Sequence, residues 1–168
     1  MQLSLNDLMP SLEKAKISGN GIFKGISINT RELFPGNLFI AIKGDNFDAH
    51  DFLDDALKKG ASAVVVEKLP KNYILPAITV PNTRTALGQI ANFWRKKFSI
   101  PIIGITGSNG KTTVKEMIAS VFFKAYGEKN YLSTFSNFNN DIGVPLTLFF
   151  LSNNHKAAVI EMGMNKPG

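Results

Sequence analysis

Short hydrophobic runs alternate with polar turns along the first half of the chain. Runs of β-branched residues are typical of buried strands, and apolar residues spaced three or four apart are typical of helices that bury one face. Over residues 1–80 these patterns predict a helix capped by Ser4, a second helix and several strands. The helices cover residues 5–13 and 51–59, and the strands cover residues 21–27, 38–42, 63–66 and 78–80. Alternating strands and helices predict an α/β fold.

The second half has longer elements. A helix capped by Asn82 is followed by a strand at 100–106, a glycine-rich turn, a helix at 111–126 and a strand at 156–162. The helical spacing i, i+3, i+4, i+7, i+8 predicts a buried face. That face consists of Val114, Met117, Ile118, Val121 and Phe122. The buried strands predict a parallel sheet. We place a domain boundary near Val80, which gives one domain at 1–80 and a second, incomplete one at 81–168.

Composition narrows the class of protein. The chain has 168 residues, of which 44% are hydrophobic and 19% charged, which is typical of a globular protein and excludes a disordered one. Cysteine is absent, so disulfide frameworks and thiolate metal sites are excluded. The N-terminus has no basic flank with an apolar core, and no apolar run reaches membrane-spanning length. We therefore expect a cytoplasmic protein with no membrane span.

The charge is distributed unevenly. The net charge of +6 lies wholly in residues 81–168, because lysine and arginine balance aspartate and glutamate before Val80. Arg84, Arg95, Lys96 and Lys97 lie on or just after one predicted helix. A solvated helix with cations near its C-terminus explains this cluster, and a basic surface for a polyanion is the alternative. Zinc-finger spacing and aromatic–basic RNA motifs are absent, so we expect no nucleic-acid partner.

A glycine-rich turn between the strand at 100–106 and the following helix predicts a phosphate-binding loop. Glycine lets the chain turn so that successive N–H groups point at phosphate oxygens, and the start of a helix attracts anions. In this arrangement Lys111 reaches the β- and γ-phosphates and the Thr112 hydroxyl ligates Mg²⁺. A strict Walker A motif has glycine where this chain has Ile105. The predicted nucleotide-binding residues are Gly107, Ser108, Asn109, Gly110, Lys111, Thr112 and Thr113.

Magnesium requires further oxygen ligands. Glu161 ends a predicted buried strand, where a second metal ligand is expected beside such a loop; an ordinary exposed carboxylate is the alternative. The two histidines, His50 and His155, are far apart in sequence and predict no metal site. We interpret His50 as a turn or substrate-rim residue and His155 as solvent-exposed.

The phosphate loop and several longer segments resemble motifs of the Mur ligase family. The segments lie at residues 31–44, 48–50, 137–148 and 158–165. The family's loop lacks the Walker glycine, which accounts for Ile105. Three positions depart from the family pattern: Asn29 replaces an aspartate, Ser136 stands where glycine is common, and Lys166 stands where histidine is often found.

The resemblance implies an ATP-dependent amide ligase with ATP and Mg²⁺ as cofactors. It implies that UDP-N-acetylmuramoyl-tripeptide and D-alanyl-D-alanine are joined through an acyl phosphate during peptidoglycan precursor synthesis. The implied architecture is a small N-terminal α/β domain at 1–80 for the UDP-sugar. It is followed by the start of a P-loop-type parallel-sheet ATPase domain at 81–168. We expect a monomer, and we expect residues 1–168 alone to be inactive because the closing domain and further ligands would be missing.

The resemblance also assigns roles to individual residues. Catalytic roles fall to Lys111, Asn139 and Asn140, and magnesium binding to Thr112 and Glu161. Substrate binding falls to Thr30, Arg31, Lys43, Asn46, Phe47 and Asn137. Without the resemblance, a turn explains the asparagine cluster and a surface ion pair explains Arg31.

Three other functions compete with this interpretation. Another amino-acid ligase of the same superfamily, such as the tripeptide-forming Mur enzyme or folylpolyglutamate synthase, is one, although the segment 137–148 argues against both. A non-catalytic module that binds a nucleotide or UDP-sugar is the second, because the chain is short. A basic nucleic-acid binder, with a steep salt dependence, is the third.

Overall fold

The computed structural model describes residues 1–44 and 47–163. The chain divides into two compact units, Met1–Ile90 and Ala91–Gly168. Over the described ranges, no helix is both long and apolar enough to cross a membrane. The α/β class predicted from the hydrophobic pattern is confirmed in both units, since each contains parallel strands and helices.

The first unit is organised around a mostly parallel sheet. Its strands are β1 (Leu3–Ser4), β2 (Lys16–Ser18), β3 (Ile22–Phe23), β4 (Ile26–Ser27), β5 (Leu38–Ile40), β6 (Ala63–Val66) and β7 (Ala77–Thr79). Within the described residues the larger sheet has the order β2-β7-β6-β5-β4, in which β2 alone runs antiparallel to its neighbour. Strands β1 and β3 pair separately. Every residue of β5 and β6 is buried, as in parallel strands covered on both faces.

The helices of the first unit are shorter than the sequence predicts. They are α1 (Leu5–Leu8), α2 (Leu53–Lys58) and 3₁₀ helices at Met9–Ser11, Thr30–Glu32 and Ala49–Phe52. Ser4 and Asp7 form the predicted cap, with Ser4 Oγ accepting from the Asp7 N–H at 3.3 Å. The helix predicted at 5–13 ends at Leu8, because Pro10 has no N–H to continue the α-helical ladder. The strand predicted at 21–27 is interrupted at Gly25, whose φ is +96°.

Helix α3 (Thr83–Arg95) spans the division between the units. Asn82 caps it as predicted, its Oδ1 accepting from the Thr85 N–H at 2.8 Å. The division falls after Ile90, whereas the sequence placed a boundary near Val80. The first turn of α3 belongs to the first unit because the Thr83 N–H donates to Glu67 Oε1 at 3.1 Å.

The second unit is a parallel sheet with helices packed against it. Its elements are β8 (Ile102–Ile105), α4 (Lys111–Tyr126), β9 (Tyr131–Ser133), α5 (Gly143–Leu148) and β10 (Ala157–Glu161). Ile103, in β8, is 40% exposed, which corrects the prediction that this strand is buried throughout. Among the described residues the strand order is β8-β10-β9, with both pairings parallel. The bounds of α4 match the prediction, while β9 and α5 were not predicted. All five residues of β10 are buried, so the centre of this sheet is also the centre of the core.

The two faces of β10 pack against different elements. Val159 lies in a cluster with Ile105 and with Ala119 of α4. Ala158 and Ile160 lie in a second cluster against which Trp94 and residues of α5 pack. Because side chains alternate along a strand, Glu161 shares the face of Val159 and is directed toward the α4 side.

The predicted buried face of α4 is confirmed at Ile118 and Phe122, which pack against the core of the sheet, and is wrong at its other three positions. Val114, Met117 and Val121 are exposed. The row that faces the sheet is Lys115, Ile118, Ala119 and Phe122. The hydrophobic spacing could not distinguish the two rows, since each has helical periodicity. Lys115, the first residue of the inward row, is 4% exposed.

His155 is not solvent-exposed, which corrects the prediction from sequence. Its ring is partly buried, and Nδ1 accepts a hydrogen bond from the Ser152 N–H at 3.2 Å. Burial lowers the pKa of His155 below its ordinary value of 6.5. The neutral ring is therefore the form that the folded turn accommodates.

This geometry predicts a loss of stability in mild acid. Because the pKa of His155 is lower in the folded chain than its unfolded value of 6.5, the unfolded chain takes up the proton first. The contribution of His155 to the free energy of unfolding is complete above pH 6.5 and is lost as the pH falls below it. Urea unfolding at pH 7.5 and pH 5.5 measures the difference. Between pH 7.5 and pH 5.5 we expect the free energy of unfolding to fall less in His155→Asn than in the wild type. Asn154→Ala, in the same turn, should show the same fall as the wild type. Equal declines in wild type and His155→Asn would contradict the assignment.

Candidate functional site

A buried carboxylate connects two separate segments of the second unit. Glu161 is 3% exposed. Its Oε2 accepts from the Thr112 hydroxyl at 3.0 Å, and its Oε1 accepts from the Asn139 side-chain amide at 2.9 Å. We call Glu161, Thr112 and Asn139 the Glu161 cluster. The proximity of Thr112 to Glu161, expected from the sequence, is thus present in the structure.

The predicted phosphate loop, residues 107–113, has a backbone that suits anion binding. Gly107 and Gly110 have φ values of +150° and +72°, which favour glycine. Helix α4 begins after Gly110, and no side chain among the described residues caps it. Its first internal hydrogen bond runs from the Val114 N–H to Gly110 O. The N–H groups of the first helical turn therefore have no partner within the helix, as in helix termini that bind phosphate.

The other predicted loop residues surround this turn. Lys111 Nζ donates to Gly107 O at 2.6 Å, so its ammonium lies over the loop. Ser108, Asn109 and Thr113 are exposed. Ile105, at the position of the Walker glycine, is 9% exposed and belongs to the core beneath α4. A glycine at this position would remove that side chain from the core.

The three predicted asparagines have different environments. Asn139 belongs to the Glu161 cluster, and its carbonyl also accepts from the Gly163 N–H at 2.6 Å. Asn140 Oδ1 instead accepts from the Gly143 N–H at 2.7 Å and from the Ile142 N–H at 3.1 Å, at the start of α5. That oxygen is committed to holding the loop against a helix. A catalytic role for Asn140 stays a prediction.

The remaining residues of this loop explain one departure from the family pattern. Asn137 is exposed, and its side-chain oxygen accepts from the Ser136 hydroxyl at 3.3 Å. Ser136 has φ of +52°, a left-handed conformation that glycine adopts without strain. Glycine is therefore the favoured residue at this position, and serine is tolerated at some cost. Lys166 lies outside the described residues.

Sequence reasoning missed two residues that support the Glu161 cluster. The Thr134 hydroxyl accepts from the Glu161 N–H at 2.9 Å. Thr134 O accepts from Lys115 Nζ at 2.8 Å, and both side chains are buried. A signal for Lys115 was available, because it begins the apolar row that continues at Ile118 and Ala119. Thr134 follows the unpredicted strand β9 and carried no comparable signal.

The Glu161 cluster has oxygen atoms that are suitable ligands for magnesium. In proteins Mg²⁺ is usually held by one or two carboxylates, substrate phosphates and water. The site offers one carboxylate and one hydroxyl whose lone pairs remain available while its proton is donated. Within the described part of the chain, no group of three or more His, Cys, Asp and Glu side chains could hold a metal. A cation here would therefore depend on phosphate oxygens to complete its ligands.

In the first unit, three of the predicted substrate residues line one cavity. Thr30, Arg31 and Phe47 surround a volume of about 330 Å³. Lys43 lies in a different groove, with Asp48 and other residues, and its Nζ is 3.9 Å from Asp48 Oδ2. Lys43 is therefore not grouped with the other three, which sequence proximity could not reveal. The predicted Asn46 lies outside the described residues.

The walls of these cavities are fixed by short-range hydrogen bonds. Asn29 Oδ1 accepts from the Arg31 N–H at 3.0 Å and caps the 3₁₀ helix at Thr30–Glu32. The replacement of aspartate by asparagine thus keeps the cap and removes only the charge. The His50 N–H donates to Asp48 and holds the pKa of that carboxyl below its ordinary value. His50 Nε2 accepts from the Glu67 N–H at 2.9 Å, so His50 connects its turn to the end of β6.

The second unit has the strand–loop–helix architecture of the P-loop class of α/β proteins. Comparison with protein families makes the assignment more specific. The Mur ligase middle domain matches residues 105–168, and the Mur ligase family, catalytic domain, matches residues 22–95. The chain belongs to the Mur ligase family, whose members are ATP-dependent ligases.

Individual relatives extend this result. The chain is 49% identical over 165 residues to the UDP-N-acetylmuramoyl-tripeptide--D-alanyl-D-alanine ligase of Buchnera aphidicola subsp. Acyrthosiphon pisum, covering 94% of this chain and 35% of the relative. It superposes on MurF from Acinetobacter baumannii with a TM-score of 0.89 and 32% identity, over 100% of this chain and 37% of that one. For MurF from Thermotoga maritima in complex with ADP, the TM-score is 0.76 at 32% identity, over 86% and 33% of the two chains. The chain therefore spans only about a third of the length of these relatives.

Proposed function

We propose that this chain supplies the UDP-sugar side and the phosphate loop of a ligase. That ligase joins D-alanyl-D-alanine to UDP-N-acetylmuramoyl-tripeptide during peptidoglycan precursor synthesis. The relative from Buchnera carries the name of this reaction, and the relative from Thermotoga was solved with ADP. The single observation that carries the proposal is the Glu161 cluster, which joins the first turn of α4 to the asparagine loop.

The chemistry of amide formation explains why such a cluster is needed. A carboxylate is a poor acyl donor, so the terminal carboxyl of the tripeptide first takes the γ-phosphoryl group of ATP. The amine of D-alanyl-D-alanine then attacks the acyl phosphate and phosphate leaves. Phosphoryl transfer between two anions depends on positioning and on charge stabilisation rather than on covalent chemistry by the protein.

Each predicted site residue of the second unit has a proposed part in this reaction. The N–H groups of residues 107–113 bind phosphate oxygens, and Lys111 moves from Gly107 O to the γ-phosphate. Thr112 and Glu161 hold magnesium, which when bound neutralises charge on the phosphates. Asn139, held against Glu161, is placed to orient the reacting carboxyl group. We keep Asn137 and Asn140 as candidates along the path of the UDP-sugar or acyl phosphate.

The cavity of the first unit is the proposed site for the uridine diphosphate. The Thr30 hydroxyl and the Arg31 guanidinium suit phosphate oxygens, and Phe47 offers an apolar wall. Lys43, in the neighbouring groove, stays a candidate, and so does Asn46, which lies outside the described residues. In this proposal the first unit binds the sugar nucleotide and the second binds ATP.

Other ligases and a non-catalytic binding module remain the competing functions. The name of the Buchnera relative favours the D-alanyl-D-alanine reaction over another Mur-type or folylpolyglutamate-type ligase. A nucleic-acid role has no support beyond net charge. A cytoplasmic location and a monomeric state stay predictions.

The phosphate-loop assignment predicts that Lys111→Ala abolishes the preference for ATP over ADP. An ammonium bonded to a phosphate oxygen contributes about 1.5–3 kcal/mol, so we expect a loss of roughly 10- to 100-fold in that preference. Titrating residues 1–168 with ATP and with ADP in the presence of Mg²⁺, followed by NMR, measures it. Lys124→Ala, at an exposed position near the end of the same helix, is the matched control. An unchanged preference in Lys111→Ala would refute the assigned role.

The substrate-side assignment predicts that Arg31→Ala weakens the binding of UDP by about tenfold, the loss expected for one charge-assisted hydrogen bond. Calorimetric titration with UDP measures the affinity. Lys24→Ala removes the same charge from an exposed position of the first unit and should bind UDP as the wild type does. Equal affinities for Arg31→Ala and wild type would exclude Arg31 from the site.

A further inference from the structure

Lys115 is a buried cation that the proposed reaction does not use. It lies on α4 three residues after Thr112, and it is only 4% exposed. Its neighbours along the inward row, Ile118 and Ala119, are apolar. A buried ammonium is costly unless it is paired and hydrogen-bonded. The burial of Lys115 therefore has to be offset by the contacts of its ammonium group.

The Lys115 ammonium has two partners of different kinds. Its Nζ lies 2.6 Å from Glu116 Oε1, on a side chain that is 65% exposed. That contact balances the charge at the protein surface. Nζ also donates to Thr134 O at 2.8 Å, just beyond the end of β9. This second contact connects Lys115 to the functional site.

Thr134 is hydrogen-bonded to Glu161 as well as to Lys115. It is completely buried, and its N–H donates to Val159 O at 3.1 Å. Its hydroxyl accepts from the Glu161 N–H at 2.9 Å. Thr134 is therefore bonded to β10 through both its backbone and its side chain, next to the residue whose carboxylate meets Thr112.

These contacts form a closed ring of hydrogen bonds that starts and ends on α4. The ring runs from Lys115 to Thr134, from Thr134 to Glu161, and from Glu161 to Thr112. Residues 112 and 115 are three apart and share one face of the helix. The ring thus fixes the position of the Glu161 carboxylate relative to the first turn of α4.

We propose that Lys115 is a positioning residue for the phosphate-and-magnesium site. It holds the end of β9 against α4, so that Glu161 is presented to Thr112 and to a phosphate-bound magnesium ion. The proposal rests on the proposed function, since it assumes that the loop binds phosphate with Mg²⁺. Residues that orient metal ligands typically change metal affinity by roughly 10- to 100-fold when they are lost.

The test compares tripolyphosphate binding with and without Mg²⁺ in residues 1–168. The ratio of the two dissociation constants, measured by calorimetry, is the magnesium gain. We expect Lys115→Met and Lys115→Gln to lower this gain roughly tenfold or more, and Lys115→Arg to restore part of it. Lys124→Met, at an exposed position on the same helix, should keep the wild-type gain. Thermal unfolding of each variant separates lost stability from lost positioning.

The outcomes distinguish this proposal from the function on which it depends. A folded neutral variant that keeps the full magnesium gain overturns the positioning role, even if it unfolds at a lower temperature. If Lys115→Met does not fold, Lys115→Gln gives the answer by the same criterion. A wild-type chain with no magnesium gain overturns the proposed magnesium site itself, and the role of Lys115 with it.

Discussion

The hydrogen bonds that satisfy the buried Glu161 carboxylate connect the segments of the second unit that surround its glycine-rich loop. A carboxylate that is 3% exposed requires donors, and it obtains them from Thr112 and Asn139, 49 and 22 residues away in sequence. Its backbone N–H is held in turn by the Thr134 hydroxyl. One side chain therefore fixes the start of α4, the asparagine loop and the end of β10 against one another.

The orientation of α4 agrees with these contacts. The inward row of the helix begins with the polar contacts of Thr112 and Lys115 and continues with apolar side chains that pack against the sheet, Ile118, Ala119 and Phe122. Polar and apolar contacts therefore favour the same face of α4. The apolar spacing alone predicted this face only in part, since Val114, Met117 and Val121 are exposed.

Features that depend on neighbouring residues were predictable from the sequence. The strand Ala63–Val66, the bounds of α4 and the glycine-rich loop follow from short-range composition and spacing. Features that depend on distant partners were not. Strand β9 has three residues and is defined by its pairing with β10. Lys43 lies in a different groove from the other predicted substrate residues, which their closeness in sequence could not reveal. The Asn140 contact with α5 likewise required a helix that the sequence had not suggested.

The central claim is that Thr112 and Glu161 hold a divalent cation together with phosphate. Paramagnetic broadening of backbone resonances by Mn²⁺, added in small amounts with tripolyphosphate to residues 1–168, tests this claim most directly. We expect the resonances of Thr112 and Glu161 to broaden first, and this selectivity to disappear in Glu161→Gln. Broadening that first affects the acidic residues of α2 in the first unit, or that is unchanged in Glu161→Gln, would contradict the account.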